Sequence, residues 1–460
     1  MSQNSFSNPT RRDVLKVAGG LAATAALPSL ALPNVHMGSD ETIQVALVGA
    51  GGRGGGAAAN ALSTKNGPVK LVAIADVFKD RLDSTYGNLE KSFKETATVP
   101  AERQFVGFDA YKKAMDVLKP GDVVILTTPP AFRWVHFEYA ISKKLNVFME
   151  KPVTVDGPSS KKMLELNEKA KAAGLKVGVG LMSRHAKWLQ ELHERVQNNE
   201  LGEIILMRGY RMHGPAATFE STPKPLGITD LEYQIRRFHS FLWCSGGCFN
   251  DFYIHIIDQG NWMKNALPVS AQAIGGRHYK QSREGQPFVD QNLDTYGVEY
   301  TYADGTKMFF DGRCIDGTYG RFSSYIHGTK GVAIASRAND CGGPSAIYKG
   351  HNMVQENLLW QSTDRSNPYQ NEWDALMAAI RANKPFNEVQ RGVEASMTCN
   401  LGRMAAHTGV EVTWEQAINS DHEFAVGVDK LDYSTPSPLM PEANGRYPIP
   451  QPGIKTTREY

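Results

Sequence analysis

Thr42-Ile-Gln-Val-Ala-Leu-Val48 followed by Gly49-Ala-Gly-Gly-Arg-Gly54 is a β-branched apolar run that ends in a glycine-rich turn. Such a run, bounded by glycine, reads as a buried strand feeding a helix. Gly49 permits the tight turn, Gly51 and Gly52 let a pyrophosphate approach the backbone, and Gly54 lets helix and strand pack closely. Arg53 stands within the turn. The free N–H groups and positive dipole of the helix start attract phosphate oxygens. Val69-Lys-Leu-Val-Ala-Ile-Ala-Asp76 is a second strand ending in an acid. Asp76 is placed to accept hydrogen bonds from adenosine ribose hydroxyls and to repel a 2′-phosphate. The expected cofactor is therefore NAD rather than NADP, with Lys79 and Arg81 nearby pulling the other way.

Outward from this turn the pattern repeats. Asp122–Pro130 is an apolar run stopped by paired prolines, and Asn146–Pro152 is another stopped by proline. Helical patterns lie between them at Asp80–Lys94, Ala110–Leu118 and His136–Lys144, with Ser159–Ala173 and a short strand Val177–Gly180 after them. Continuous apolar strands alternating with helices predict a parallel sheet covered on both faces. From Glu203 the strands become longer and alternate, at Ile204–Met212, Val269–Gly275, Asp294–Tyr302, Thr306–Arg313, Arg321–Gly328 and Val332–Ser336. Hairpin punctuation such as Ala303-Asp-Gly305 separates two of them. The helical stretches Glu372–Ala382 and Glu394–His407 follow. The fold expected is α/β: a doubly wound parallel sheet at residues 40–152, an α+β domain with a large, predominantly antiparallel sheet at 153–410, and a C-terminal extension at 411–460.

Composition narrows the function. Lys+Arg 50 against Asp+Glu 48 leaves a formal charge of +2, so no basic surplus draws the chain to nucleic acid. Five cysteines, at 244, 248, 314, 341 and 399, show no zinc-ligand spacing, and no metal is expected. Arg11-Arg12 precedes a soft apolar run, Val17–Ala31, that is short for a membrane span and ends in small residues near Ser29-Leu30-Ala31. Residues 1–36 thus read as a twin-arginine export signal and linker, with the twin-arginine translocase as partner and the periplasm, free or membrane-anchored, as destination.

At Glu150-Lys151-Pro152 the chain reaches a resemblance. A glycine-rich strand–turn–helix, an acid after the second strand and Glu-Lys-Pro ending a later one resemble the glucose–fructose oxidoreductase / inositol dehydrogenase (Gfo/Idh/MocA) family. The stretch Ser245–Asp258, with Asp251 and His255 one helical turn apart, fits the same family. The resemblance covers roughly residues 42 to 410. It implies a Rossmann domain, an open, predominantly antiparallel second domain and an active site in the cleft between them. It also implies that His255 removes a hydroxyl proton, that Lys151 orients and polarises that hydroxyl, and that Asp251 binds it or a neighbour. Glu150 and the Thr127-Thr128-Pro129 turn would line the nicotinamide side.

Spacing alone places Asp251, His255 and Asp258 at i, i+4 and i+7 on one helix face, where flanking carboxylates can orient a histidine and tune its pKa. Lys151 sits at the carboxyl end of a parallel strand, where such sheets bind ligands. Arg184 is a candidate to reach a substrate. Trp243, Phe241, Tyr253 and Trp262 offer a sugar-stacking wall or core packing. Tyr210, His213, Arg236 and Arg237 are weaker candidates for hydroxyl binding.

The function expected is nicotinamide-dependent oxidation of a hydroxyl on a sugar, polyol or glycoside, with tightly held NAD(H). The alternatives are a redox-neutral, NAD-dependent glycoside hydrolase and a non-catalytic sugar-binding protein on the same scaffold. A homo-oligomer, associating through an exposed sheet face of the second domain, is a further expectation.

Overall fold

The computed structural model describes residues 41–278 and 280–460. The export signal expected over residues 1–36 lies outside the described residues.

Six parallel strands form the first sheet: β1 (Ile43–Val48), β2 (Val69–Asp76), β3 (Gln104–Val106), β4 (Val123–Leu126), β5 (Asn146–Met149) and β6 (Val177–Val179). Their order is β3-β2-β1-β4-β5-β6. β1 pairs with β2 on one side and β4 on the other, with Val45 opposite Leu71 and Val123. Every residue of β4 and β5 is buried, because helices cover both faces. Strand order reverses between β1 and β4, so the loops leaving their carboxyl ends diverge and open a crevice. The glycine turn after β1 and the Thr127–Pro129 turn after β4 both lie there.

The parallel sheet runs past the expected boundary at residue 152. Pro152 ends β5, but the helix Gly157–Ala172 crosses back and pairs Val177 with Val147 and Val179 with Met149. Asp156 starts that helix by accepting from the Ser159 N–H at 2.8 Å, with Pro158 in the first turn. A helix far along the chain also covers this sheet. Trp373 of Pro368–Arg381 stacks on Phe148, ring centroids 4.5 Å apart, in a core shared with Ile43 and Val45.

The second sheet has nine strands: β7 (Ile204–His213), β8 (Pro268–Gly276), β9 (Thr295–Tyr302), β10 (Lys307–Cys314), β11 (Arg321–Gly328), β12 (Gly331–Ser336), β13 (Ala346–Lys349), β14 (Leu358–Gln361) and β15 (Val412–Thr413). It is mixed: β7 and β10 run parallel and the other pairs antiparallel. Tyr296, Val298, Tyr300 and Tyr302 of β9 are buried while their neighbours are partly exposed, the alternation of a sheet covered on one face. The helices Gly247–Lys264 and Val389–Thr408 supply that cover. The opposite face leaves Ile274 and Phe309 exposed. Strands β3, β13, β14 and β15 went unmarked in the sequence because two to four residues carry too little periodicity.

Residues 411–460 are tied into the body. Arg403, fully buried, donates to both carboxylate oxygens of Glu459 at 2.8 and 3.0 Å, and His407 Nδ1 lies 2.7 Å from the same group. The Tyr433 hydroxyl donates to the Val77 carbonyl at 2.9 Å, beside the first domain's crevice. All five cysteines are buried free thiols. Among the described residues no helix is long and apolar enough to cross a membrane, and no group of three or more His, Cys, Asp or Glu is arranged to hold a metal.

Candidate active site

One cavity of about 440 Å³ runs from the glycine turn to the helix Gly247–Lys264 of the second domain. At its first end the backbone does the recognition. Gly49 has φ +98°, and a Cβ there would lie 2.7 Å from the Thr127 carbonyl carbon. At Gly54 a Cβ would lie 2.0 Å from the Gly49 oxygen, so strand and helix touch only because that position is glycine. Nothing stands within 4 Å of a Cβ built at Gly51 or Gly52, which leaves the helix start open to a phosphate group. Asp76 steadies the turn: its two oxygens accept the Ala50 N–H at 2.7 Å and the Phe78 N–H at 2.8 Å. Burial pushes its carboxyl up, against these bonds and the nearby Arg81. Arg81 lines the cavity, whereas Lys79 pairs with Asp83 at the surface. These features fit a dinucleotide held by Gly49–Gly54 and Asp76.

The middle of the cavity is built by the ends of β4 and β5. Thr127 Oγ1 donates to the Gly49 carbonyl at 2.6 Å and closes the turn. Thr128 Oγ1 bonds His136 Nδ1 at 3.1 Å, and burial, with Arg133, drives that imidazole down to about 3. Arg133, 1% exposed, gives its guanidinium to the Leu126 and Thr128 carbonyls. Glu150 is bound by Arg53, whose Nε lies 3.1 Å away and whose guanidinium stacks on Tyr369 at 4.5 Å. The Glu150 carboxylate thus clamps the turn to β5 while bordering the Pro129 side of the cavity.

The far end gathers side chains from well-separated segments. Lys151 Nζ donates to the Asp251 carbonyl at 2.7 Å and stands 3.9 Å from its carboxylate. His239 Nε2 lies 3.0 Å from the other carboxylate oxygen, while Thr218 holds His239 Nδ1 at 2.8 Å. Burial opposes ionisation of Asp251, but Lys151, His239 and Arg211 outweigh it and hold the carboxyl well below its usual range. His255 faces the same space with a buried Nδ1 that has no hydrogen-bond partner. Burial, with Lys151 and Arg211, drives its imidazole down to about 4 against the pull of Asp340 and Asp258. The His255 ring is therefore neutral at neutral pH. Arg211 and Asp340, 2.7 Å apart, complete the wall.

Ten candidates lie outside the cavity lining, Phe241, Trp262, Tyr210, His213, Arg236 and Arg237 among them. Asp258 is taken by Arg184 in a two-pronged pair at 2.8 and 2.9 Å, and neither lines the cavity. Tyr253 is fully buried with its hydroxyl 3.4 Å from Cys314 Sγ. Trp243 is fully buried and donates to Gln234 at 2.6 Å. Helical spacing put Asp251 and Asp258 on one face with His255, but each carboxylate finds a cation from another segment, and neither orients the imidazole. His239, Arg211 and Asp340 were missed as part of the site. Their segments carry no motif, and only tertiary folding brings them to the helix.

Two family models match the chain: an oxidoreductase family with an NAD-binding Rossmann fold over residues 43–181, and the GFO/IDH/MocA C-terminal domain over residues 189–334. Together they take in more than half of the sequence. An inositol 2-dehydrogenase of Corynebacterium glutamicum is 28% identical over 142 residues, 30% of this chain and 40% of that protein. The match thus spans about two fifths of that relative. An inositol 2-dehydrogenase of Rhizobium meliloti is 24% identical over 371 residues, 79% of this chain and 94% of that protein. The crystal structure of an aldose-aldose oxidoreductase from Caulobacter crescentus shares the fold, with TM-score 0.62 at 15% identity, covering 81% of this chain and 100% of that one.

Proposed function

Because the chain belongs to the GFO/IDH/MocA oxidoreductase family, with its NAD-binding Rossmann domain, we propose that it oxidises a CH–OH group of a sugar, polyol or glycoside. The observation that carries this reading is the single cavity joining the glycine turn to Lys151, Asp251 and His255. The inositol dehydrogenases among its relatives support the substrate class.

When bound, a nicotinamide supplies the acceptor for the hydride that leaves the carbinol carbon. Lys151, with one N–H on the Asp251 carbonyl, keeps two further donors to hold the substrate hydroxyl and stabilise negative charge on its oxygen. His255 takes the hydroxyl proton as a neutral base. Asp251, steadied by His239, accepts a hydrogen bond from a neighbouring hydroxyl.

Two further parts of the proposal concern the setting. Arg11-Arg12 and the leader behind it support twin-arginine export to the periplasm with the nucleotide aboard. Free NAD is scarce there, so NAD(H) is held tightly and recycled within the protein. The exposed sheet face around Ile274 and Phe309 supports a homo-oligomer.

The test is to purify the exported form, denature it and quantify released nucleotide, then add sugars and polyols to the intact protein while following the reduced-nicotinamide band. About one NAD(H) per chain and a band change with at least one sugar are expected. A freely exchanging, empty site overturns tight retention, and no band change with any sugar overturns the oxidoreductase reading.

A further inference from the structure

The charges in the wall around His255 come in matched pairs. Lys151 stands against Asp251, 3.9 Å apart, and Arg211 against Asp340, 2.7 Å apart. Arg133 borders the same cavity but is 1% exposed, with both terminal nitrogens on the Leu126 and Thr128 carbonyls.

The Arg211–Asp340 pair is held rigidly. The Arg211 guanidinium also donates to the Phe252 carbonyl and to His213 Nε2, and it stacks over Phe322 at 4.5 Å. Asp340 sits in a short loop after β12. Ser336 Oγ donates to the Ala338 and Asn339 carbonyls at 3.1 and 2.9 Å, Asn339 has φ +59°, and the Asp340 carbonyl accepts from Ser183 Oγ at 3.2 Å and from Gln259. The loop, two strands along the sheet from β7, holds the carboxylate against Arg211. An arginine on this wall would otherwise be a ready fork for a substrate carboxylate or phosphate.

We propose that Asp340, by occupying Arg211 at the cavity wall, selects an uncharged polyhydroxy substrate over its carboxylate-bearing counterpart. An anionic group brought beside Arg211 meets a guanidinium already committed and the Asp340 carboxylate next to it, while the charge of Lys151 is already faced by Asp251 at 3.9 Å. A neutral sugar or polyol needs no such compensation, and its hydroxyls suit the mixed donors and acceptors of Lys151, Asp251 and His255. This inference rests on the oxidoreductase reading for its choice of site.

The test uses the nucleotide-loaded full chain with glucose and glucuronate, and with galactose and galacturonate. Reduction of the bound nucleotide, up to one equivalent per chain, is followed at the reduced-nicotinamide band, and binding by calorimetry. The wild type is expected to favour the neutral member of a pair by at least ~10-fold. Asp340→Asn, which keeps the side chain's shape and removes its negative charge, should narrow that ratio by ~10-fold or more, through a gain for the uronate. Asp340→Glu should retain the preference for the neutral sugar. A wild-type preference for the uronate, or an unchanged ratio in Asp340→Asn protein of wild-type Tm, overturns the inference. Binding without any hydride transfer would overturn the oxidoreductase reading instead, and the calorimetric ratio would still decide the role of Asp340. Binding of none of the four sugars overturns the proposed substrate class.

Discussion

The two ends of the cavity are built by different means. The nucleotide end is backbone: absent side chains at Gly49, Gly51, Gly52 and Gly54, a helix start and one carboxylate, Asp76, all drawn from a strand–turn–helix–strand unit. The substrate end is side chain. Lys151 comes from the end of β5, Arg211 from β7, His239 from a short turn, Asp251 and His255 from a helix, and Asp340 from a loop. A backbone cradle tolerates almost no added volume, whereas a side-chain cluster tolerates changes of volume but not of charge or proton inventory.

Removing the space that the first end depends on should have the largest effect. Gly54→Ala places a carbon 2.0 Å from the Gly49 oxygen and is expected to cost about 3 kcal/mol or more and to strip the nucleotide. Gly52→Ala meets nothing within 4 Å and should leave the denaturation midpoint of the nucleotide-free protein unchanged while weakening nucleotide binding. Equal stability in the two variants would break the contrast. At the other end, Lys151→Ala and His255→Ala should each lower turnover at least ~10²-fold with nucleotide content intact, and near-wild-type turnover in either would refute the roles proposed.

Acid probes the middle and the substrate end of the cavity together. His136 and His255 are held down to about 3 and about 4, chiefly by burial, whereas an unfolded histidine titrates near about 6.5. The unfolded chain therefore binds protons first as pH falls. Stability contributed by keeping these rings neutral is present above about 6.5 and is lost as pH drops from there toward 4, by on the order of 3 kcal/mol for each ring. Urea midpoints across that range would measure it, and a flat profile would contradict the assigned burial. His239→Ala releases one oxygen of Asp251 and should lower kcat/KM ~10-fold while sparing nucleotide binding, a split that a general loss of packing would not produce. The smallest change is expected at Tyr253→Phe, which removes one contact to Cys314, lowers stability by about 1 kcal/mol or less and leaves KM for the sugar unaltered.

How legible each end was follows from its construction. The Gly49–Gly54 turn, Asp76 and the Thr127–Pro129 turn could be read because strand, turn and helix are local and glycine has few substitutes there. Lys151 and His255 could be marked through the family resemblance, which rests on Glu150-Lys151-Pro152 and on an acid and a histidine one helical turn apart. The partners of Asp251 and Asp258 could not. A helix brings residues i and i+4 to one face, yet the bonds each carboxylate makes depend on whether His239 and Arg184 arrive from elsewhere. Trp243 and Tyr253 likewise carry aromatic faces suited to a sugar, and only packing decided that they lie in the core.

By itself the sequence determined the α/β order of elements and the glycine turn with an acid after the second strand, and it placed a lysine at a strand end and a histidine within a helix. These are properties of local backbone geometry and of periodicity. Tertiary structure alone decided that the parallel sheet extends to Val179, that the C-terminal tail closes over the body through Glu459, and that Asp251 belongs to His239 and Arg211 to Asp340. Those pairings join segments far apart in the chain, and a buried charge takes whichever opposite partner the completed fold brings within reach.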